Sequence, residues 1–183
     1  MPHSFLKLIL SLMIAMSLIS SSSVFAGSKV EIDFEVKQAM QRFKKEVLAS
    51  SEYIKLAKGM LVFPSIFKAG FGIGGEYGEG AMIINGKNVE YYSTAAASIG
   101  FQLGAQTKTV ILLFTSSKAL KKFRNSDGWE AGVDGSVALI DVGAATTLDT
   151  NTAKAPIIAF IFNNKGLMYN LSLEGSKYSK IDR

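Results

Sequence analysis

Between Leu61 and Gly80 an apolar segment runs into Pro64 and then into glycines on even positions: Gly70, Gly72, Gly74, Gly78 and Gly80, interrupted only by Glu76. Phe71, Ile73 and Tyr77 hold odd positions of the same run. Side chains alternate between the two faces of a strand. Read as a strand, this stretch therefore has one bare face and one aromatic and aliphatic face. A glycine inside a strand costs roughly 0.5–1 kcal/mol relative to alanine, so a whole face of them needs a compensating contact. The usual one is close approach of another backbone, a ring or a ligand. Gly74-Gly75 is the natural place for a bulge in such a strand.

The first residues read as an export signal. Lys7 supplies the positive end, Leu8 to Ile19 an apolar core, and Val24-Phe25-Ala26 a signal-peptidase site with cleavage after Ala26. The apolar core is shorter than the roughly 20 residues of a spanning helix. The expected organisation is a cleaved signal at residues 1–26 and one domain at residues 27–183, exported to the periplasm or outside the cell and held peripherally at a membrane. The chain has no cysteine, so neither disulfides nor a lipidated cysteine enter the expectation.

The only histidine is His3, inside the leader. The remainder thus lacks the side chains for Ser-His-Asp or Cys-His nucleophilic systems, for histidine general bases and for ordinary zinc sites. No cofactor and no catalysis are expected. With 20 Lys and Arg against 15 Asp and Glu the chain is mildly basic. That balance suits an anionic lipid surface and falls short of a nucleic-acid footprint.

From Glu31 to about Ala49, Ile32, Val36, Ala39, Met40, Phe43, Val47 and Leu48 form a helical stripe. Its polar face starts with Glu31, Asp33 and Glu35 and ends with Lys37, Arg42, Lys44 and Lys45, an order that suits the helix dipole. That face is either plain solvated surface or a helix lying on anionic headgroups. A short second helix is expected from Glu52 to about Lys58. Pro64 is expected to stop regular pairing after Leu61-Val62-Phe63, and Asn85-Gly86 to make a hairpin turn. Strands are expected from Val89 to about Leu103, over Lys108 to Phe114, from Trp129 to Val142, over Ile157 to Phe162 and from Leu167 to Leu173. Between them, Ser116 or Ser117 caps a short helix through Phe123 that exposes Lys118, Lys121, Lys122 and Arg124. Gly143 to Ala155 reads as a loop or irregular strand, and Asn163 to Gly166 as a turn. The whole is a single α+β domain: a twisted antiparallel β-sheet with N-terminal amphipathic helices and one short helix between strands.

Several formal motifs have plainer readings. Gly70-Phe71-Gly72-Ile73-Gly74-Gly75 fits G-x-G-x-x-G, but the helix a dinucleotide site needs does not follow. Ser65-Ile66-Phe67-Lys68 fits S-x-x-K without the accompanying S-D-N and K-T-G elements. Glu76 with Glu79, or Asp134 with Asp141, would make acid/base pairs only if their separation were fixed; otherwise they are charges on exposed or bulged strand edges. Asp134, between Val133 and Gly135, reads as a carboxylate buried in an apolar strand and met by backbone donors.

With these residues in view, the chain resembles the SYLF (Ysc84-type) lipid-binding domain family. The resemblance is carried by Leu61-Val62-Phe63-Pro64, the run from Lys68 to Gly80, Ser98 to Gln106, Val110-Ile111-Leu112-Leu113, Ala131 to Ala138, Lys165-Gly166-Leu167 and Ser172 to Ser176. It covers roughly residues 35 to 177. It implies a non-enzymatic module; eukaryotic relatives bind phosphoinositides, partly through a basic amphipathic helix near the start, and some bind actin. Joined to the export signal, it leads to an anionic phospholipid or membrane surface as partner. Lys37, Arg42, Lys44 and Lys45, then Lys121, Lys122 and Arg124, are the expected headgroup contacts. Gly70, Gly72, Gly74, Gly75, Gly78 and Gly80 are the expected structural glycines. The alternative is an envelope protein-interaction or structural module whose glycine face receives a partner.

Overall fold

The computed structural model describes residues 27–142, 154–166, 173 and 175–183. The expected signal at 1–26, most of the expected loop at 143–155 and most of the expected strand from Leu167 lie outside the described residues. Helices α1 (Lys29–Glu46) and α2 (Ser50–Leu56) come first, then strands β1 (Gly59–Ile84) and β2 (Lys87–Phe114), helix α3 (Ser117–Arg124), and strands β3 (Trp129–Glu130), β4 (Ala138–Asp141), β5 (Ile157–Gly166) and β6 (Lys177–Ile181). The result is a single α+β domain around one curled sheet.

Of the two serine caps, Ser116 is one of the pair expected and Ser28 is not among the expected caps, while α2 starts after Ala49 without a side-chain cap. Ser28 accepts from the Glu31 amide at the start of α1, and Ser116 from the Ala119 amide at the start of α3. Ala49, at φ 59, separates α1 from α2. Asn85 (φ 51) and Gly86 (φ 76) both take left-handed backbone, the requirement of a type I′ hairpin turn.

Two expectations about the sheet fail. Pro64 does not end pairing: the ladder with β2 resumes after a register shift between Phe63 and Ile66, and two expected strands merge into β2. Nor is the sheet wholly antiparallel, because β4 runs parallel to β5 while β1, β5 and β6 pair antiparallel to β2. The expected strand from Trp129 to Val142 is two short strands around a turn. Within that turn Asp134 is only half-buried; its Oδ2 does accept from the Glu130 amide, as a backbone-satisfied carboxylate should.

Neighbouring residues on a strand point to opposite faces, and each face has its own core. Leu61, Phe63, Val110, Leu112 and Phe114 meet Phe123 of α3 together with Trp129 and Tyr178. Val62, Ile111, Leu113, Ile158 and Phe160 meet Ile32, Val36, Ala39 and Phe43 of α1. The two basic helices therefore lie on opposite faces of the sheet.

The glycine run explains the curl. At about 3.3 Å per residue a straight β1 would hold Val62 and Gly80 roughly 60 Å apart. Instead, a methyl group added at Gly80 would lie 2.8 Å from the Val62 carbonyl carbon and 2.9 Å from Phe63 Cδ1. One added at Gly78 would lie 2.7 Å from the Ser65 carbonyl oxygen, and one at Gly70 2.5 Å from Gly74 Cα. The strand doubles back on itself, and the backbone its bare face receives is its own. The irregularity sits between Phe71 and Ile73, opposite Leu103 and Ile99, one step before the expected Gly74-Gly75 bulge. Gly75 is not crowded: an added methyl would meet only the Ala96 carbonyl oxygen, at 3.8 Å.

A lysine-rimmed groove as the candidate functional site

A groove of about 930 Å³ opens between α1, α2 and the β1–β2 turn. Val36, Met40, Ile54, Ala57, Met60 and Ile83 supply its apolar walls. Lys29, Lys37 and Lys44 of α1, Lys58 before β1 and Lys87 after the turn surround it, all exposed. Its acid, Asp33, is already engaged: Oδ1 accepts from Asn88 Nδ2 and from the Tyr91 hydroxyl, each at 2.7 Å. Burial and then that carboxylate push the Tyr91 phenol up to about 12, so it stays a neutral donor. Lys29 Nζ stands 5.6 Å above the Tyr91 ring, within reach of a cation–π contact. Five ammonium groups thus face an apolar trough whose one carboxylate is internally satisfied.

The expected site residues divide among several places. Lys37 and Lys44 line the groove. Lys45 lies with Lys44 at a shallow depression around the α1–α2 junction. Arg42 turns the other way, into a smaller cleft of about 220 Å³ with Lys108 and Lys165, and its Nε has no hydrogen-bond partner among the described residues. Lys121, Lys122 and Arg124 are on α3, across the sheet, and do not join the α1 lysines. Two of those three are already engaged. Arg124 grips Glu90 with Nε and Nη2 at 2.8 and 2.9 Å, and Lys122 donates to the Asp134 carbonyl. The seven expected cations thus lie on separate surfaces, and Lys37 and Lys44 are the two at the α1 groove. Lys29, Lys58 and Lys87, which reasoning from helical stripes missed, complete it. Only tertiary folding brings Lys58 and Lys87 beside α1; Lys29 was legible as the first exposed cation of that helix.

Glu90 also gathers Lys180 Nζ at 2.7 Å and the Tyr92 hydroxyl at 2.9 Å. The Arg124 hydrogen bonds, working against burial and aided by Lys180 and Tyr92, hold its carboxyl down to about 2. A carboxyl held low when folded adds stability above its unfolded range, near 4.5, and loses it as pH falls through the folded value. Glu90→Gln is expected to flatten the loss of stability between about pH 4.5 and about pH 2, read by urea midpoints across that range.

The formal acid pair Glu76 and Glu79 does not assemble. Glu76 is buried against Lys108, while Glu79, on the other face, is held by Arg183 Nη2 at 2.5 Å and takes the Tyr77 hydroxyl at 2.6 Å. Among the described residues no helix is long and apolar enough to cross a membrane.

Fold and groove together define a small α+β domain that presents a cationic, apolar-floored trough. Residues 95–182, just under half of the chain, match the family model described as Ysc84: Las17-binding protein actin regulator, the SYLF-type family that the sequence resembles. The matched part starts within β2 and leaves the glycine run of β1 outside it. No curated protein matches the chain.

Proposed function

We propose that this domain is a non-catalytic, peripheral membrane module that binds anionic phospholipid in the groove beside α1. One observation carries the reading: five exposed lysines surround an apolar trough in which the single acid is already hydrogen-bonded by Asn88 and Tyr91. Each lysine near an anionic surface contributes about 1 kcal/mol, and the trough accepts the apolar part of a lipid next to its headgroup. The leader expected at residues 1–26 supports a membrane surface in the cell envelope. Lysine-lined grooves without histidine or cysteine have no evident proton-transfer machinery at neutral pH, which supports binding rather than turnover.

Vesicle co-sedimentation tests this. Binding is expected to rise with the fraction of phosphatidylglycerol and to fall with salt. Lys37→Ala, Lys44→Ala and Lys87→Ala together are expected to weaken it about a hundredfold, the sum of three such contacts. Equal binding to neutral and anionic vesicles would reject the groove as a headgroup site. The family description names a protein ligand, Las17; an envelope protein retained by the purified domain after delipidation would favour that second reading.

A further inference from the structure

Opposite its glycine face, β1 carries a row of outward apolar side chains. Phe67, Phe71, Ile73 and Tyr77 are exposed, Phe71 by 81% and Ile73 by 71%. α1 covers this same outer face at Ala81 and Ile83 and leaves the stretch from Phe67 to Tyr77 bare. The cross-strand neighbours extend the surface without charge: Ala105 beside Ala69, Ala97 beside Gly75 and Ala95 beside Tyr77. Solvated strand faces are ordinarily polar, and a contiguous apolar one marks a docking surface.

The register supplies its rim. Across the sheet Phe67 pairs with Thr107 and Thr107 with Lys165, while Tyr77 pairs with Ala95 and Ala95 with Lys177. Both lysines are exposed. The one acid that continues the row, Glu79, is closed off by Arg183 and Tyr77. The surface is therefore apolar at its middle and cationic at two opposite ends. It is also the outside of a bend, since the glycine face forms the inside, so its side chains splay outward. A convex apolar ridge needs a deformable, water-poor medium to receive it, and its two flanking ammoniums need anions at the boundary of that medium. An anionic bilayer meets both requirements.

We propose that Phe67, Phe71, Ile73 and Tyr77 form a wedge that enters the headgroup–acyl boundary of an anionic bilayer, with Lys165 and Lys177 held at the phosphates. This inference rests on the lipid-binding reading of the groove and adds a second, inserting contact to it. The groove holds headgroups by charge; the wedge supplies depth.

Because the chain has no cysteine, Ile73→Cys gives one labelling position for an environment-sensitive nitrobenzoxadiazole fluorophore. With vesicles of phosphatidylglycerol and phosphatidylcholine, the label is expected to shift to the blue and to be quenched by lipids carrying a nitroxide high on the acyl chain. Phe71→Thr with Ile73→Thr, strand-compatible changes at exposed positions, is expected to lower vesicle partitioning about tenfold with an unchanged urea midpoint. If the labelled protein sediments with vesicles while its label stays open to aqueous iodide, the wedge is wrong and the groove reading stands. Sedimentation with no vesicle composition overturns both. A blue shift that grows with protein concentration in the absence of lipid means a second copy covers the ridge, and overturns the wedge. Unchanged partitioning of the double threonine variant does the same.

Discussion

Gly80→Ala is expected to destabilise the domain by about 3 kcal/mol or more, at or beyond the upper end of ordinary overpacking. The added methyl would overlap the Val62 carbonyl, 2.8 Å from its carbon, and press on Phe63 Cδ1 at 2.9 Å. Neither neighbour has room to yield: Val62 and Phe63 are fully buried and belong to the cores on opposite faces of the sheet. Gly75→Ala is the matched control. It lies in the same strand, faces solvent and meets nothing nearer than 3.8 Å, so its effect is expected within about 0.5 kcal/mol, or slightly stabilising through the unfolded chain. Urea denaturation of both variants decides the matter. Equal midpoints for Gly80→Ala and the parent would mean that β1 is not folded back on itself.

Glu76→Ala is expected to cost about 3–5 kcal/mol, the range for removing one partner of a buried ion pair. Lys108 Nζ lies 2.9 Å from Glu76 Oε2, and the two side chains are 1% and 5% exposed. Ser176 Oγ, 3.3 Å from Oε1, is the carboxylate's further partner. Without Glu76 the ammonium remains buried with no counter-charge among the described residues. The paired replacement Glu76→Met with Lys108→Met is expected to recover most of the loss, because apolar groups of similar volume remove both desolvation penalties together. Urea midpoints of the two single variants and the double complete the cycle. A loss below about 1 kcal/mol for Glu76→Ala would mean that water reaches the pair.

Much of this architecture was legible because it is local. The stripe from Ile32 to Phe43, the Ser116 cap and the Asn85-Gly86 turn each act within a few residues, and each forms as the sequence indicates. The even-numbered glycines announced a close backbone approach, although the approaching backbone turned out to be the same strand. What depended on distant pairing was not legible. Pro64 reads as a stop, but a register shift accommodates it; Asp134 sits among apolar residues in sequence yet lies in a turn. The parallel alignment of β4 with β5 has no local signature. At the site, Lys37 and Lys44 could be read from the helical face, whereas Lys58 and Lys87 enter only once the hairpin packs against α1. Arg124 looked like a free surface cation until folding placed Glu90 beside it.

The interruptions along β1 bear on how the protein coexists with copies of itself. Among the described residues β1 pairs with β2 alone, and a strand border left unpaired is a row of amides and carbonyls of the kind on which aggregates grow. Its ladder is broken between Phe63 and Ile66, between Phe71 and Ile73 and again after Met82, and the chain turns sharply at Gly70. An incoming extended peptide would lose alignment at each of these points. The same kinks that curl the sheet thus deny a fibril the straight template it requires.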